Sequence, residues 1–410
     1  MHEFESLAET AGYMVVGRFD IVGVPSAKYG IRAGKAEEIG TWIEINQPEY
    51  ALFSPALKSS QLFRLMEKWE IEVRDRTQVI LEIFDKHAGT PQAKLQIEQA
   101  RLRYELPFER HQIRMRLQKE HTGDRPIAEQ IGAGEDPLTL RISEIKRRVA
   151  QISAKLKKIS EEQTLKKKKR KRVGFSEIAL AGYTNAGKST LHRALTGSDV
   201  AVEDKFFTTL ATKSSSLSMV GRQVVLTDSV GFISDLPPAL LEAFNTTLME
   251  ITSADVIILV VDGSNSLEEM GRKIEVCQQT FNRVGVGGIP LVLAINKTDL
   301  LDENSIEERL VAFEDFNGSV VAISAKESTG LEALLAAVER SLPGLVRYSI
   351  DIPYDRSAMS VVSWLHDNAH VLSQSFDESV IHVEVYLSEE ALDRLAGQLP
   401  LDALTRVMDP

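Results

Sequence analysis

The segment GYTNAGKST follows a short apolar run, precedes a helical stretch and matches the phosphate-loop pattern GxxxxGK[ST]. In this strand–loop–helix context the glycines let backbone N–H groups turn inward and surround the β- and γ-phosphate oxygens of a nucleotide. Lys188 adds a positive charge to those oxygens, and Ser189 offers its hydroxyl to Mg²⁺. The predicted phosphate site consists of Gly182, Tyr183, Thr184, Asn185, Ala186, Gly187, Lys188, Ser189 and Thr190.

The region from Val173 to Leu345 alternates short apolar runs with helical stretches. This alternation predicts an α/β domain built on a doubly wound, mostly parallel sheet. The runs have the length and composition of buried parallel strands. The predicted strands are Ile178–Ala181, Val224–Thr227, Val256–Val261, Leu291–Ile295 and Val320–Ile323.

Two short motifs that follow predicted strands, NKTD and SAK, indicate that the base is guanine. A carboxylate at Asp299 accepts from both N1–H and the exocyclic amine of guanine, whereas adenine offers no such pair of donors. We expect Lys297 to lie along the base and the phosphate loop, and Asn296 to connect neighbouring loops. Backbone contacts to the guanine oxygen are expected from Ser324, Ala325 and Lys326.

The segment DSVG ends another predicted strand and matches the pattern DxxG. Asp228 is expected to hold Mg²⁺ directly or through water, and the N–H of Gly231 to sense the γ-phosphate. In the preceding segment FFTTL, Thr209 can close on Mg²⁺ when the γ-phosphate is present. The residues assigned to catalysis are therefore Lys188, Thr209 and Gly231, and those assigned to the metal are Ser189, Thr209 and Asp228.

Residues 1–88 are predicted to form a small N-terminal α/β domain, because β-rich and helical stretches alternate there. The predicted helices are Lys35–Ile39 and Ser59–Trp69. The predicted strands are Met14–Gly17, Thr41–Ile45, Ala51–Phe53 and Glu70–Val73.

Residues 89–172 are predicted to form a helical hairpin. Two helices, roughly 91–120 and from Pro137 onward, flank a segment rich in glycine and proline that cannot continue either of them. The second helix carries an apolar seam of period 3.5, which is typical of a coiled coil. Its members are Leu138, Ile142, Ile145, Val149, Ile152, Leu156 and Ile159.

Residues 346–410 are predicted to form a small C-terminal α+β domain without evident chemistry. We expect an extended opening at Tyr348–Pro353, a helix near Ser357–Asn368 and a strand at Val380–Tyr386. Ser388 has the position of an N-cap for a last helix.

Charge is distributed unevenly along the chain. The 48 Lys+Arg and 59 Asp+Glu residues give a net charge of −11, which by itself argues against a nucleic-acid partner. Residues 89–172, however, carry 22 basic and 11 acidic side chains and end in the run Lys166–Arg172. This segment has a balance of +11 and the remainder −22. The asymmetry indicates a contact with a polyanion, and a solvated linker is the alternative.

The composition favours the cytoplasm. Cys277 is the single cysteine, so no internal disulfide is expected, as in a reducing compartment. The N-terminal residues lack the pattern of a signal peptide. No apolar run approaches the ~20 residues needed to span a bilayer, and we expect no association with a membrane.

Taken together, GYTNAGKST, FFTTL, DSVGFISDLP and NKTD resemble the HflX family of ribosome-associated GTPases. The segments YGIRAGKAEEI and RDRTQVILEIF are similar to that family's N-terminal domain, and AKLQIE is similar to the start of its helical region. The chain departs from the family in its glycine-rich segment, IGAGE in place of a GPGE-like sequence, and in DSVG in place of DTVG.

The resemblance implies a GTP-hydrolysing protein that binds the large ribosomal subunit through rRNA and acts in ribosome splitting, recycling or rescue. Some members also hydrolyse ATP through the N-terminal domain, although no phosphate loop precedes residue 182 here. Asn185 resembles the asparagine that helps to hold K⁺ in potassium-activated GTPases.

Phe232 stands where many GTPases carry the glutamine that orients the attacking water. Hydrolysis is therefore expected to be slow unless a partner or K⁺ assists it. Two other functions stay open at this point. One is a GTP-gated switch whose coiled coil binds a protein without RNA, and the other is a P-loop ATPase or kinase, which NKTD followed by SAK disfavours.

Overall fold

The computed structural model describes residues 2–121, 137–172, 175–197, 213–219, 222–228, 231–233, 251–354, 358–387, 392, 395 and 404–407. The chain divides into two compact units, one built mainly on residues 1–159 and the other mainly on residues 160–410. Within the described residues, no helix is both long and apolar enough to cross a membrane.

The N-terminal residues form four helices and a two-stranded parallel sheet. The helices are α1 His2–Ala11, α2 Ala33–Asn46, α3 Ser59–Trp69 and α4 Arg76–His87, and the strands are β1 Tyr50–Phe53 and β2 Glu72–Asp75. Asp75 caps α4 by accepting hydrogen bonds from the N–H groups of Thr77 and Gln78. The predicted helix Ser59–Trp69 is confirmed as α3, and the predicted strand Ala51–Phe53 is confirmed as β1. The predicted strand Glu70–Val73 corresponds to β2, which begins two residues later, at Glu72.

Two predicted strands of this region are wrong. Thr41–Ile45 lies within α2, whose buried residues Ala36, Ile39 and Ile43 recur at helical spacing. The core contacts of that face outweigh the local β propensity of a run such as TWIEI. Met14–Gly17 is extended but pairs with no described strand, so it does not belong to the sheet.

The predicted helical hairpin is confirmed in its two arms, α5 Pro91–His121 and α6 Pro137–Arg172. Side chains of the two arms contact each other: Arg148 of α6 donates to both carboxylate oxygens of Glu98 of α5 at 2.6 and 3.0 Å, and Gln99 of α5 donates to Ser153 of α6 at 2.6 Å. Pro107 lies inside α5, and the helix continues past it. The tip of the hairpin, 122–136, lies outside the described residues.

The seam of α6 is the covered face of that helix. Ile145, Ile152 and Leu156 are buried, and Ile142, Val149 and Ile159 are half-buried, while the intervening residues are mostly exposed. The side chain of Leu138 lies outside the described residues. A spacing read from sequence alone thus predicts correctly which face of the helix is covered.

The central sheet has six strands in the order β4-β5-β3-β6-β7-β8, and all are parallel except the antiparallel edge strand β4. All five predicted strands are present: the first two are three residues longer than predicted, the next two are one residue longer, and the last has the predicted length but begins one residue earlier. The edge strand was not predicted, because its sequence KSSSLSM is mostly polar. The strands are β3 Ser176–Gly182, β4 Lys213–Met219, β5 Arg222–Asp228, β6 Val256–Asp262, β7 Leu291–Asn296 and β8 Ser319–Ala322.

In the part of this domain that the structure describes, four helices accompany the sheet and bury its faces. They are α7 Lys188–Thr196, α8 Leu267–Val284, α9 Glu303–Ala312 and α10 Leu331–Ser341. The core combines alternate residues of the strands, such as Ile258 and Val260, with Leu334 and Val338 of α10. Parallel strands that are buried on both faces place their carboxyl ends along one edge of the sheet, and this edge carries the loops described below.

The C-terminal residues form an antiparallel sheet in the order β10-β11-β9-β12, with α11 Ala358–Asn368 packed on one face. The predicted opening strand, helix and later strand are all present. Strand β10 was not predicted, and the N-cap proposed at Ser388 lies outside the described residues. The strands are β9 Val346–Pro353, β10 His370–Phe376, β11 Val380–Leu387 and β12 Leu404–Arg406.

The seam generates a prediction about the stability of the hairpin. Ile152 is fully buried, so Ile152→Ala removes packed methyl groups and should lower the local free energy of unfolding by about 2–5 kcal/mol. Lys155→Ala on the exposed side of the same helix should change it by less than about 0.5 kcal/mol. Amide hydrogen exchange of α5 and α6 measures both, and equal protection in the two variants would contradict the packing of the seam.

Candidate functional site

The loop between β3 and α7 adopts a backbone that requires glycine at two positions. Gly182 has φ +148°, and a Cβ there would lie 2.2 Å from the carbonyl oxygen of Val260 on β6. Gly187 has φ +93°, and a Cβ there would lie 2.2 Å from the side-chain nitrogen of Asn296. Asn185 has φ +61°, a region that asparagine tolerates better than most residues. The loop is therefore held close to two neighbouring strands.

Lys188, at the start of α7, is buried. Its Nζ donates to the carbonyl oxygens of Gly182 at 3.1 Å and Tyr183 at 3.0 Å. Burial lowers the pKa of Lys188 below the ordinary lysine value, and Asp228 opposes that shift. A desolvated ammonium at the N-terminus of a helix favours an anion beside it, because the anion would restore the stabilisation that water no longer gives.

Two oxygen atoms meet beside Lys188. The hydroxyl of Ser189 donates to Oδ2 of Asp228 at 2.8 Å, which joins the phosphate loop to the end of β5. Asp228 is 1% exposed. A hydroxyl and a buried carboxylate at this distance fit Mg²⁺, a hard cation that usually binds one or two protein oxygens together with substrate phosphates and water.

Asn296 connects three loops through one buried amide. Its Nδ2 donates to the carbonyl oxygen of Ala186 in the phosphate loop at 2.9 Å, and its Oδ1 accepts from the N–H of Ala325 at 2.9 Å. The partners lie 110 and 29 residues away in sequence. The structure thus brings the phosphate loop, NKTD and SAK together.

The carboxylate of Asp299 is oriented by Ser324. The Ser324 hydroxyl donates to Oδ1 of Asp299 at 2.6 Å and accepts from the N–H of Glu327 at 3.1 Å. Lys326 pairs with Glu327 at 3.6 Å and its side chain is largely exposed. Ser324 and Ala325 are buried beside it.

Sequence reasoning missed Asp262, the last residue of β6. Its Oδ2 lies 2.7 Å from Nζ of Lys297, which has φ +67° and is held in a backbone region that few lysines occupy. The next residues are fixed as well, because Arg309 of α9 donates to the carbonyl oxygens of Gly263 at 2.6 Å and Asn265 at 3.2 Å. The signal in the sequence was an aspartate at the end of an otherwise apolar strand, VIILVVD.

Gly231 lies directly against the phosphate loop, since a Cβ there would be 2.9 Å from Nζ of Lys188 and 2.8 Å from Cγ2 of Thr184. The next residue, Phe232, continues this contact through its main chain, where its carbonyl oxygen accepts from the N–H of Thr184 at 2.8 Å. Its ring packs edge-on against Phe281 at 5.5 Å and is buried. Phe232 therefore supports the loop and offers no polar group to water.

The structure brings together the predicted residues 182–190, Asp228, Gly231, Asn296, Lys297, Asp299, Ser324 and Ala325 at the carboxyl edge of the sheet. Thr190 lies on the first turn of α7. Lys326 is adjacent, with its side chain directed to solvent. Thr209 lies outside the described residues, so its assignment to Mg²⁺ stays a prediction.

Four protein-family models match successive parts of the chain. They are described as GTP-binding GTPase N-terminal over residues 1–85, GTP-binding GTPase Middle Region over 87–170, 50S ribosome-binding GTPase over 177–297, and HflX C-terminal domain over 311–404.

Curated relatives match over nearly the whole length. A GTPase HflX of Thermococcus kodakarensis is 35% identical, with 94% of this chain and 88% of the relative covered. A GTPase HflX of Caldanaerobacter subterraneus is 34% identical, with 96% and 89% covered. Among solved structures, a GTP-binding protein of Sulfolobus solfataricus in complex with GDP is 26% identical with a TM-score of 0.44, and 83% of this chain and 94% of that chain are covered.

The contact between Asp262 and Lys297 generates a prediction about nucleotide affinity. Asp262→Asn removes the charge that holds the Lys297 ammonium and should weaken GDP binding about fivefold to tenfold. Asp302→Asn is the matched control, because the Asp302 side chain caps α9 by accepting from the N–H of Ser305. Fluorescent GDP titration measures both dissociation constants. Unchanged affinity in the first variant would show that Asp262 does not act through Lys297.

Proposed function

The chain belongs to the HflX family of GTPases and hydrolyses GTP, and we propose that it does so as a factor of the large ribosomal subunit that splits, recycles or rescues ribosomes. GTP binding is supported by the side-chain amide of Asn296. This amide joins the NKTD loop, which contains it, to the phosphate loop and to the SAK loop. The proposal that the chain binds the ribosome rests on the basic arm formed by α5 and α6.

In the proposed complex each residue of the site has one task. Residues 182–190 surround the phosphates, with Lys188 as their charge partner, and Asp299 reads guanine beside the main chain of residues 324–326. Lys297 lies along the base, and Gly231 senses the γ-phosphate. Ser189, Asp228 and Thr209 would hold Mg²⁺, which supplies charge neutralisation on the phosphates when bound.

The attacking water needs a partner or an ion, because the buried ring of Phe232 cannot orient it. The side chain of Asn185 is exposed at the phosphate loop and therefore accessible to a cation. We infer that K⁺ binds there with help from the nucleotide. Slow hydrolysis by the isolated protein follows from this arrangement.

The ion proposal predicts faster GTP turnover in K⁺ than in Na⁺ buffer. Asn185→Gly should abolish that difference while GDP affinity is retained, because glycine keeps the loop's positive φ and removes the amide. Phosphate release at equal ionic strength measures the turnover. Equal rates of the unaltered protein in both salts would exclude K⁺.

The exposed side of α6 supports contact with RNA. Lys146, Arg147, Lys155, Lys157 and Lys158 are all exposed. Arg148 is instead paired with Glu98, and Arg101 of α5 with Asp85, so neither is a free phosphate partner. Exposed cations along one arm neutralise phosphates and release counterions, which favours structured rRNA over an apolar protein surface.

Cosedimentation with isolated large ribosomal subunits tests this proposal. Binding should be stronger with a non-hydrolysable GTP analogue than with GDP, and the plot of log affinity against log salt should be steep. Replacing Lys157 and Lys158 by Gln should flatten its slope by up to about two units. The matched control replaces Arg283 and Arg340, exposed on α8 and α10, and should leave the slope unchanged.

Equal binding in both nucleotide states would contradict a nucleotide-controlled ribosome factor. Salt-independent binding would favour the second candidate, a GTP-gated switch that binds a protein through its coiled coil. ATP hydrolysis by residues 1–88 and the four domain boundaries, 1–88, 89–172, 173–345 and 346–410, stay predictions.

A further inference from the structure

The side-chain hydroxyl of Thr184 is a polar group that the phosphate loop buries without satisfying it. Thr184 is 7% exposed, and its Oγ1 forms no hydrogen bond with any residue that the structure describes. Its main-chain N–H, by contrast, donates to the carbonyl oxygen of Phe232 at 2.8 Å. Folded proteins leave few buried hydroxyls without a partner, because the hydration lost on burial is then not replaced. This hydroxyl is therefore available to a ligand of the loop.

The side chain of Thr184 lies where the phosphate loop meets the glycine of DSVG. A Cβ placed on Gly231 would be 2.8 Å from Cγ2 of Thr184, 3.0 Å from its Cα and 2.9 Å from Nζ of Lys188. The methyl group of Thr184 thus lies against Gly231, beside the Lys188 ammonium. Because the hydroxyl and the methyl group share one carbon atom, the hydroxyl belongs to the same junction.

This junction suits an anion. Lys188 brings a positive charge, and the N–H of Gly231 is the group assigned above to the γ-phosphate. Phosphate oxygens accept hydrogen bonds, and a hydroxyl rotates about its C–O bond to donate to the acceptor beside it. A bond from a hydroxyl to a charged oxygen is of the stronger, charge-assisted kind. GDP has no γ-phosphate, so GTP offers an acceptor at this junction that GDP does not.

We propose that the Thr184 hydroxyl donates to an oxygen of the γ-phosphate and thereby makes the site favour GTP over GDP. The pattern GxxxxGK[ST] leaves the residue at this position unspecified, because the loop surrounds the phosphates with its main chain. The side chain therefore adds a contact that the pattern itself does not supply. The inference rests on the proposed position of the γ-phosphate beside Gly231 and is independent of the ribosomal partner.

Thr184→Val tests this contact, because valine keeps the branched shape that packs against Gly231 and replaces the hydroxyl by a methyl group. The variant should bind the non-hydrolysable GTP analogue GppNHp at least about tenfold more weakly, since it loses a hydrogen bond to a charged group. Its affinity for GDP should change by less than about twofold, because GDP leaves the hydroxyl unpaired. Fluorescence competition titration of the full chain with Mg²⁺ and without ribosomes measures both dissociation constants.

Two further variants serve as controls. Thr184→Ser keeps the hydroxyl and should restore the preference for GppNHp over GDP that the valine variant loses. Thr280→Val makes the same replacement outside the site, where the Thr280 hydroxyl donates to the carbonyl oxygen of Val276 within α8 at 2.8 Å. It should leave both dissociation constants unchanged. Binding of GDP verifies that each variant is folded.

Two results for Thr184→Val overturn the proposal. One is an unchanged affinity for GppNHp, and the other is an equal loss of affinity for both nucleotides, which would make Thr184 only a support of the loop. Gly231→Ala separates these failures from a failure of the γ-phosphate position, because its Cβ would crowd Nζ of Lys188. If Gly231→Ala lowers the preference for GppNHp and Thr184→Val does not, the position stands and the role of Thr184 is wrong. If neither variant lowers it, both are wrong.

Discussion

One buried amide, that of Asn296, holds the nucleotide site together. It bonds to the phosphate loop on one side and to the loop after β8 on the other. The amide nitrogen also lies where a side chain at residue 187 would be, so the loop can approach only because that residue is glycine. A buried amide with both ends satisfied fixes its neighbours because leaving either end unpaired is costly. The order of the sheet, which places β7 beside β6 and β8, makes this contact possible.

Two charged side chains, Lys188 and Asp228, are buried at the same edge of the sheet. The buried ammonium of Lys188 is held by two carbonyl oxygens, and Asp228 stands close to it beside Ser189. Phe232 closes the site through its main chain and packs its ring on α8. The described part of the site thus suits phosphates and a hard cation, and Phe232 offers no polar group to a water molecule. The proposed slow hydrolysis and the proposed need for an external group rest on this same feature.

In the basic arm, apolar and charged side chains lie on different sides of helix α6. A seam of period 3.5 forms the buried side of α6, and an ion pair between Glu98 and Arg148 joins α6 to α5. Because the seam uses the apolar residues, lysine and arginine side chains remain on the outside. The negative average charge of the chain hides this distribution, which is a property of one helix face and not of the protein as a whole.

The sequence by itself determined the features that depend on near neighbours in the chain. The phosphate loop, the five central strands and the seam from Ile142 to Ile159 follow from spacing and composition, since period and turn chemistry act over a few residues. It failed at Thr41–Ile45, where a helix face that completes a core outweighed β propensity. Only the tertiary structure decided that Asp262 meets Lys297 and that Asn296 meets Ala186. The physical reason is that these contacts join segments tens of residues apart, and their energy exists only when the sheet has brought those segments together.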